Sequence, residues 1–211
     1  MATIVETKLE DAICDPLAEQ AELFLASRRF TPDEYMSMAQ AGILDEDERL
    51  ELLEGAIIKM MVRYPEHDYS ILKTEEALRK LCSADHYVRV QMGIATSDSR
   101  PEPDCAFTRG KMSDHAHRFP EGQEIELIVE VADSSLRCDR GIKARIYARA
   151  GVPVYWILNL KGRQLEVFSD PTGDVEQPAY RKSQVFMHGE KAPLLLGGKQ
   201  VGEIAVAELL P

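Results

Sequence analysis

The sequence predicts an α/β protein with a mixed central sheet flanked by helices, and three observations carry this prediction. Residues 125–132 and 154–160 form short apolar runs of the length of buried strands. Between them, residues 136–150 have the apolar spacing of a helix, which Gly151 and Pro153 end. A strand, a helix and a strand in this order form a β-α-β crossover, which is expected to be right-handed.

The other elements are predicted from their start and stop signals. A first helix begins at Thr31, an N-cap followed by proline, and ends at Gly42. Residues 49–54 and 56–62 predict a hairpin. The later elements, in chain order, are a helix opening at 65–68 with Ile71, Leu72, Leu78 and Leu81 on its apolar face, a strand at 86–94 with Val88, Val90, Met92 and Ile94 on one face, a strand at 104–108, a polar loop at 111–122, a strand at 164–168, and two or three short edge strands.

Length and composition indicate one domain. A chain of 211 residues is long enough for one α/β domain with a sizeable core, and we expect an N-terminal arm at 1–30 and the domain at 31–211. No apolar run approaches the roughly 18 to 20 residues of a membrane span, and no secretory signal is visible, so we expect a cytoplasmic protein. The four cysteines lack a C-x-x-C spacing, which argues against a zinc knuckle.

The charge balance restricts the possible partners. The formal net charge is -11 and the pI is near 5.0, which counts against tight nonspecific binding of nucleic acid. It does not exclude a nuclease, because metal-binding acids add to the negative total and a local basic patch can still face a phosphate backbone.

Two acids stand where an acid is costly. Asp104 follows a proline into a short apolar run, and Glu130 lies at the centre of a predicted buried strand. Two such acids on two strands predict a site for a hard divalent cation, Mg²⁺ with Mn²⁺ as a substitute. The backbone carbonyl of Val131 is a candidate third ligand. Such a site suits phosphodiester hydrolysis.

The predicted helix at 136–150 supplies the remaining chemistry. Asp139, Lys143 and Tyr147 share one face at i, i+4 spacing. We expect Lys143 to orient the attacking water or to stabilise developing charge, unless it simply pairs with an acid. Gln91, on the strand before Asp104, is a candidate for a supporting hydrogen bond. Basic residues on the same helix form the candidate phosphate-facing patch: Arg137, Arg140 and Arg145.

Five segments together resemble the Uma-two family of restriction-endonuclease-like proteins, within the PD-(D/E)XK nuclease superfamily. The resemblance covers roughly residues 31–170 and implies a restriction-endonuclease-like fold with a metal-dependent nuclease site, in which Asp104 and Glu130 are the motif acids. It further implies that Glu54 completes the metal shell and that His67 supports the site. The segments are Leu50-Glu-Leu-Leu-Glu-Gly55, Pro103-Asp104, Leu127-Ile-Val-Glu-Val131, Asp139-x-x-x-Lys143-x-x-x-Tyr147 and Gly151-Val-Pro-Val-Tyr-Trp-Ile157.

One departure from the superfamily pattern keeps alternatives open. The simple motif has lysine two residues after the second acid, where this chain has Ala132, and the resemblance makes Lys143 the replacement. The first hypothesis is a metal-dependent endonuclease that acts on DNA, as a homodimer like many superfamily members. The second is an inactive nuclease-fold protein that binds nucleic acid or another partner. The third is a hydrolase of small phosphate esters, which the sequence does not favour because it contains no Gly-rich phosphate loop.

Overall fold

The computed structural model describes residues 27–45 and 47–211, so most of the predicted N-terminal arm lies outside the described residues. Its helices are α1 (Pro32–Gln40), α2 (Pro65–Arg79), α3 (Leu136–Cys138), the π-helix π1 (Asp139–Lys143), α4 (Ala144–Arg149) and α5 (Val206–Leu209). Its strands are β1 (Leu50–Leu53), β2 (Ala56–Lys59), β3 (His86–Val90), β4 (Cys105–Arg109), β5 (Ile125–Ala132), β6 (Val154–Asn159), β7 (Gln164–Pro171), β8 (Tyr180–Met187), β9 (Lys191–Leu196) and β10 (Lys199–Ala205).

The predicted mixed sheet is confirmed. Six strands pair in the order β3-β4-β5-β6-β7-β8, and β5 and β6 are the parallel pair at the centre of an otherwise antiparallel sheet. The continuous helical run α3-π1-α4, here called the site helix, connects these two strands. The hairpins β1-β2 and β9-β10 form two further two-stranded sheets.

Both faces of the central sheet are covered, because side chains alternate between the two faces of a strand. On β5, Leu127, Val129 and Val131 pack in a cluster with α2 and the C-terminal elements. Ile128 and Ala132 pack in a second cluster with the site helix and β1. All eight residues of β5 are buried, so its acids are buried with it.

The predictions made from capping and turn residues match the structure at the start of α1 and at the β1-β2 turn. Thr31 accepts a hydrogen bond from the backbone N–H of Glu34, and the Glu34 side chain accepts one from that of Thr31, which forms the capping box that begins α1. The β1-β2 turn needs left-handed backbone at Glu54 and Gly55, and a Cβ at Gly55 would lie 2.7 Å from the Cβ of Arg29.

Predictions from side-chain periodicity fail at two places. Leu72 was expected on the apolar face of α2 but is largely exposed, while Ile71 and Leu78 are buried as expected. The strand predicted at 86–94 ends at Val90, because Gln91 has a φ of 50° and breaks the alternation. Met92 is consequently exposed. Over the described residues, no helix is long and apolar enough to cross a membrane.

Candidate active site

Asp104 and Glu130 lie on neighbouring strands and line one pocket. The antiparallel register pairs Cys105 with Val129, which places the preceding Asp104 beside Glu130. Both carboxylates are buried, and Oδ2 of Asp104 accepts a hydrogen bond from the backbone N–H of Val131 at 2.9 Å. The two acids predicted from the sequence are therefore brought together and held by the sheet itself.

The site helix brings Lys143 and Tyr147 onto Glu130. Lys143 Nζ lies 3.1 Å from Oε1 of Glu130 and 3.3 Å from Oε1 of Glu51. The Tyr147 hydroxyl donates to Oε1 of Glu130 at 2.6 Å. The buried ammonium group thus bridges two strands, and the expectation that the helix packs its Lys143 face towards Glu130 matches the geometry.

A π-helical segment lies where these contacts are made. In π1 the backbone N–H of Ala144 donates to the carbonyl of Asp139, five residues earlier, instead of four as in an α-helix. Asp139 and Lys143 are both buried there, and Asp139 accepts a 2.6 Å hydrogen bond from the hydroxyl of Ser135. Single π turns inside α-helices are frequent at functional sites.

The pocket holds more buried negative charge than positive charge. Four of its carboxylates are buried, those of Glu51, Asp104, Glu130 and Asp139, against the one buried ammonium group of Lys143. Burial raises the pKa of Glu130 to about 8, although Lys143 opposes the shift, and burial raises the pKa of Asp139 to about 6. An excess of buried carboxylates is the setting in which a bound cation compensates charge.

Two donors of the site stay protonated at neutral pH. Burial alone would lower the pKa of Lys143, but Glu130, Glu51 and Asp139 together raise it well above its usual value. Burial and the neighbouring Glu130 carboxylate raise the pKa of the Tyr147 hydroxyl well above its usual value. Lys143 is therefore a fixed positive charge rather than a proton acceptor.

Glu51, which the sequence analysis did not single out, occupies the position expected of Glu54. Glu51 lines the pocket and contacts Lys143, whereas Glu54 faces away and binds Arg145 and Arg149. The placement of Glu54 in the metal shell therefore does not match the structure. The signal for Glu51 was present, since it too is an acid within an apolar strand, as is Glu130.

Glu54 instead ties the β1-β2 turn to the site helix. The Arg145 guanidinium donates to both carboxylate oxygens of Glu54, at 2.7 and 2.6 Å, and Arg149 adds a third contact at 2.9 Å. Arg149 also binds Asp98. This clamp fixes α4, which carries Tyr147, against the hairpin that carries Glu51.

Replacing Glu54 with Gln is expected to lower the free energy of unfolding by about 1 to 2 kcal/mol, because one neutral amide cannot accept both arginines. Urea denaturation at pH 7 measures the change. The matched control is Glu48→Gln, which removes an exposed pair with Lys59 and should cost at most about 0.5 kcal/mol. Equal losses of unfolding free energy in the two variants would show that Glu54 does not stabilise the contact between the hairpin and the site helix.

The other predicted residues differ in how close they lie to the two acids. His67 lies in the first turn of α2, with Nε2 at 3.4 Å from Oδ2 of Asp104, and its buried Nδ1 has no hydrogen-bond partner among the described residues. Val131 lines the pocket. Gln91 does not, and only its backbone N–H reaches Asp104, at the carbonyl, at 3.2 Å.

The predicted basic patch is mostly engaged elsewhere. Arg140 binds Glu166 through two hydrogen bonds, and Arg145 binds Glu54. Arg137 is exposed, lines the pocket, and makes no ion pair with any residue the structure describes. Of the three predicted arginines, Arg137 alone is placed to meet a substrate in this pocket.

The donor set fits a hard divalent cation, although no ready-made metal cage exists in the part of the chain that is described. Carboxylate oxygens are the protein ligands that Mg²⁺ prefers, and one or two of them suffice because the ion keeps several waters. The carboxylates of Glu51 and Glu130 contact Lys143 and do not converge on one position for an ion. Oδ1 of Asp104 makes no hydrogen bond to the described residues, so this oxygen is available as a ligand.

The pKa shifts give a prediction for the metal-free protein. Glu130 and Asp139 hold protons in the folded state at pH values where the unfolded chain has lost them, so the stabilisation is complete below about pH 4 and is lost as pH rises through 6 to 8. We expect chelator-treated protein to become progressively less stable from pH 5 to pH 8, measured as the free energy of unfolding by urea denaturation. Glu130→Gln should flatten this slope, and an unchanged slope would contradict the assignment.

Comparison with known proteins gives a family and a similar fold. A family model, Uma2, described as "Putative restriction endonuclease", matches residues 32–199. Among solved structures the chain is similar to a "putative nuclease belonging to DUF820" from Anabaena variabilis ATCC 29413, with a TM-score of 0.65 and 12% identity over 85% of this chain and 97% of that chain. At this identity the likeness shows the fold alone. No curated protein matches the sequence.

Proposed function

The chain belongs to the Uma2 family, described as "Putative restriction endonuclease", and from this premise we propose that it is a metal-dependent endonuclease that hydrolyses phosphodiester bonds in DNA. The observation that carries the proposal is the buried Lys143 ammonium group between Glu130 and Glu51, in one pocket with Asp104. Lysine beside paired acids is the chemistry expected of this nuclease class, here with the lysine on the helix that follows the second acid.

Asp104, Glu130 and Glu51 are the proposed metal-holding side chains, with the backbone carbonyl of Val131 as a further candidate. A Mg²⁺ or Mn²⁺ ion held by them would supply charge neutralisation at the phosphate and help to activate the attacking water. Asp104 is already oriented by the Val131 N–H, and His67 lies against its Oδ2.

The remaining side chains act on the phosphate and on the acids. Lys143 stays protonated, so it can donate hydrogen bonds to an attacking water or to a phosphate oxygen as negative charge develops there. Tyr147 donates to Glu130 and fixes the rotamer of that carboxylate. Asp139 is assigned a supporting role. Its carboxylate accepts a hydrogen bond from Ser135 and is one of the acids that raise the pKa of Lys143.

A second candidate is a nuclease-fold protein that binds nucleic acid without cleaving it. The observation in its favour is that Oε1 of Glu130 is engaged by both Lys143 and Tyr147. A metal ligand there must share its carboxylate with these donors. The expected homodimer and the expected single domain at 31–211 stay predictions.

The test of the proposed function is cleavage of supercoiled plasmid DNA with Mg²⁺, with Mn²⁺, and with a chelator. We expect nicking with either metal and none with the chelator. An identically purified Glu130→Gln variant controls for contaminating nuclease and should be silent. If the wild type binds Mn²⁺ by calorimetry but cuts neither DNA, RNA nor small phosphodiesters, the non-cleaving candidate replaces the endonuclease.

A further inference from the structure

One wall of the pocket exposes more apolar surface than hydrolysis of a phosphate requires. The pocket has a volume of about 620 Å³, and residues 58–64, which run from the end of β2 to the start of α2, line it without interruption. Within this segment Met61 is 60%, Val62 78% and Tyr64 57% exposed. Large apolar side chains clustered at the edge of a pocket indicate a surface that binds a ligand.

Cationic side chains line the same pocket as these apolar ones. Arg49 and Arg137 make no ion pair with the described residues, and Arg63 only approaches Asp68, with 4.0 Å between its Nε and the carboxylate. Arg49 and Arg137 are thus available to an anionic ligand, and Arg63 would give up only this long pair with an exposed acid. The rim, defined here as Met61, Val62, Tyr64 and the three arginines, therefore offers both flat apolar surface and positive charge.

The two classes of nucleic acid present different chemistry to such a rim. A duplex exposes phosphates and groove edges and buries the faces of its bases, so it gains from basic charge but not from aromatic side chains. An unpaired strand exposes base faces, which stack on aromatic side chains, and phosphates, which pair with arginine. The net charge of -11 counts against tight nonspecific binding of either class, so stacking on an aromatic side chain, which only an unpaired strand offers, is what distinguishes the two.

The depth of the acids points in the same direction. Asp104, Glu130 and Lys143 line the same pocket and are all buried, whereas the apolar side chains of the rim are exposed. A phosphodiester must enter the pocket to reach them, and a flexible single strand can bend into it more easily than a stiff duplex.

We propose that the rim binds single-stranded nucleic acid, with an unpaired base stacked on Tyr64 and the flanking phosphates paired with Arg63 and Arg137. The inference rests on the proposed function, because the bound strand is the one whose phosphodiester would be hydrolysed. It adds that the preferred substrate is an unpaired region, such as a single strand, a flap or a locally unpaired segment of a supercoiled plasmid, rather than a relaxed, continuous duplex.

The test is binding of a fluorescent 20-nucleotide oligonucleotide without secondary structure, compared with its duplex, by anisotropy in the presence of a chelator. We expect the single strand to bind at least about tenfold more tightly than the duplex. Tyr64→Ala should weaken single-strand binding by about tenfold and leave duplex binding unchanged, whereas Tyr64→Phe should retain it. Tyr64 makes no capping hydrogen bond to α2, so its truncation leaves that helix intact.

Tyr69→Ala is the matched control, because Tyr69 is also exposed, at 43%, but does not line this pocket. It should bind both oligonucleotides like the wild type. Duplex binding as tight as single-strand binding, no binding of the single strand, or equal losses in the two tyrosine variants would each overturn the proposal. Because the assay needs no cleavage, a protein that cuts intact duplex but fails here contradicts only the rim, and one that binds here but never cuts contradicts only the endonuclease.

Discussion

Replacing Lys143 with Met is expected to reduce metal-dependent DNA cleavage by about 100- to 1,000-fold, the loss typical when one preorganised charge donor is removed from a reaction centre. Met keeps most of the volume of the side chain, so the pocket stays filled while the ammonium group is lost. The initial rate of plasmid nicking at saturating Mg²⁺ measures the effect.

The same variant has a stability signature that depends on pH. Without Lys143, Glu130 and Glu51 lose their buried counter-ion, and breaking a buried pair costs about 3 to 5 kcal/mol when the remaining charge stays ionised. The cost should be smaller at pH 6 than at pH 9, because Glu130, whose pKa burial raises to about 8, holds a proton at the lower pH. Lys161→Met, which removes an exposed pair with Asp133, is the control and should change neither quantity. If the Lys143→Met protein is folded and cleaves at the wild-type rate, the lysine is only a structural counter-ion and its catalytic role is contradicted.

Asp104→Asn should reduce the rate of DNA cleavage by about three orders of magnitude and change the free energy of unfolding little. The amide oxygen of Asn can still accept the hydrogen bond from the Val131 N–H, so the fold retains its contact. Asn is a much weaker ligand for a hard cation, and the catalytic contribution of such an ion is several kcal/mol. Cleavage assays and calorimetric Mn²⁺ titration measure the two losses.

Asp133→Asn is the control for this variant, because Asp133 lines the same pocket but pairs with the exposed Lys161. It should bind metal and cleave DNA like the wild type. If Asp104→Asn keeps its Mn²⁺ affinity, the metal is held elsewhere and the assignment of Asp104 fails.

The sequence predicts the fold and the two central acids because their signals are local. A mostly apolar strand such as β5 can be recognised from its own residues, and the charge of an acid buried within it must be compensated by a partner wherever that partner lies. The caps of α1, the Glu54-Gly55 turn and the parallel β5-β6 pair follow from short-range rules in the same way.

The choice between Glu51 and Glu54 could not be made locally. Both acids lie in the same six-residue segment, and which of them faces the pocket depends on how the β1-β2 hairpin docks on the site helix. The arginines posed the same difficulty, since the partners of Arg140 and Arg145 come from β7 and the hairpin turn. Such partners are distant in sequence, so periodicity along one helix does not reveal them.

The π turn at Asp139–Lys143 means that the site helix carries one residue more than a regular α-helix of its span would need. Gly141 is exposed, and an added Cβ there would meet nothing within 4 Å, so the extra length bulges where it disturbs no packing. Deleting Gly141 would let the helix close into a regular α-helix but would rotate everything before it by about 100° relative to Lys143 and Tyr147. The placement of Lys143 therefore depends on the extra residue of the π turn, because the direction in which the side chain leaves the helix, and not only its distance from Glu130 along the chain, brings it beside the acid.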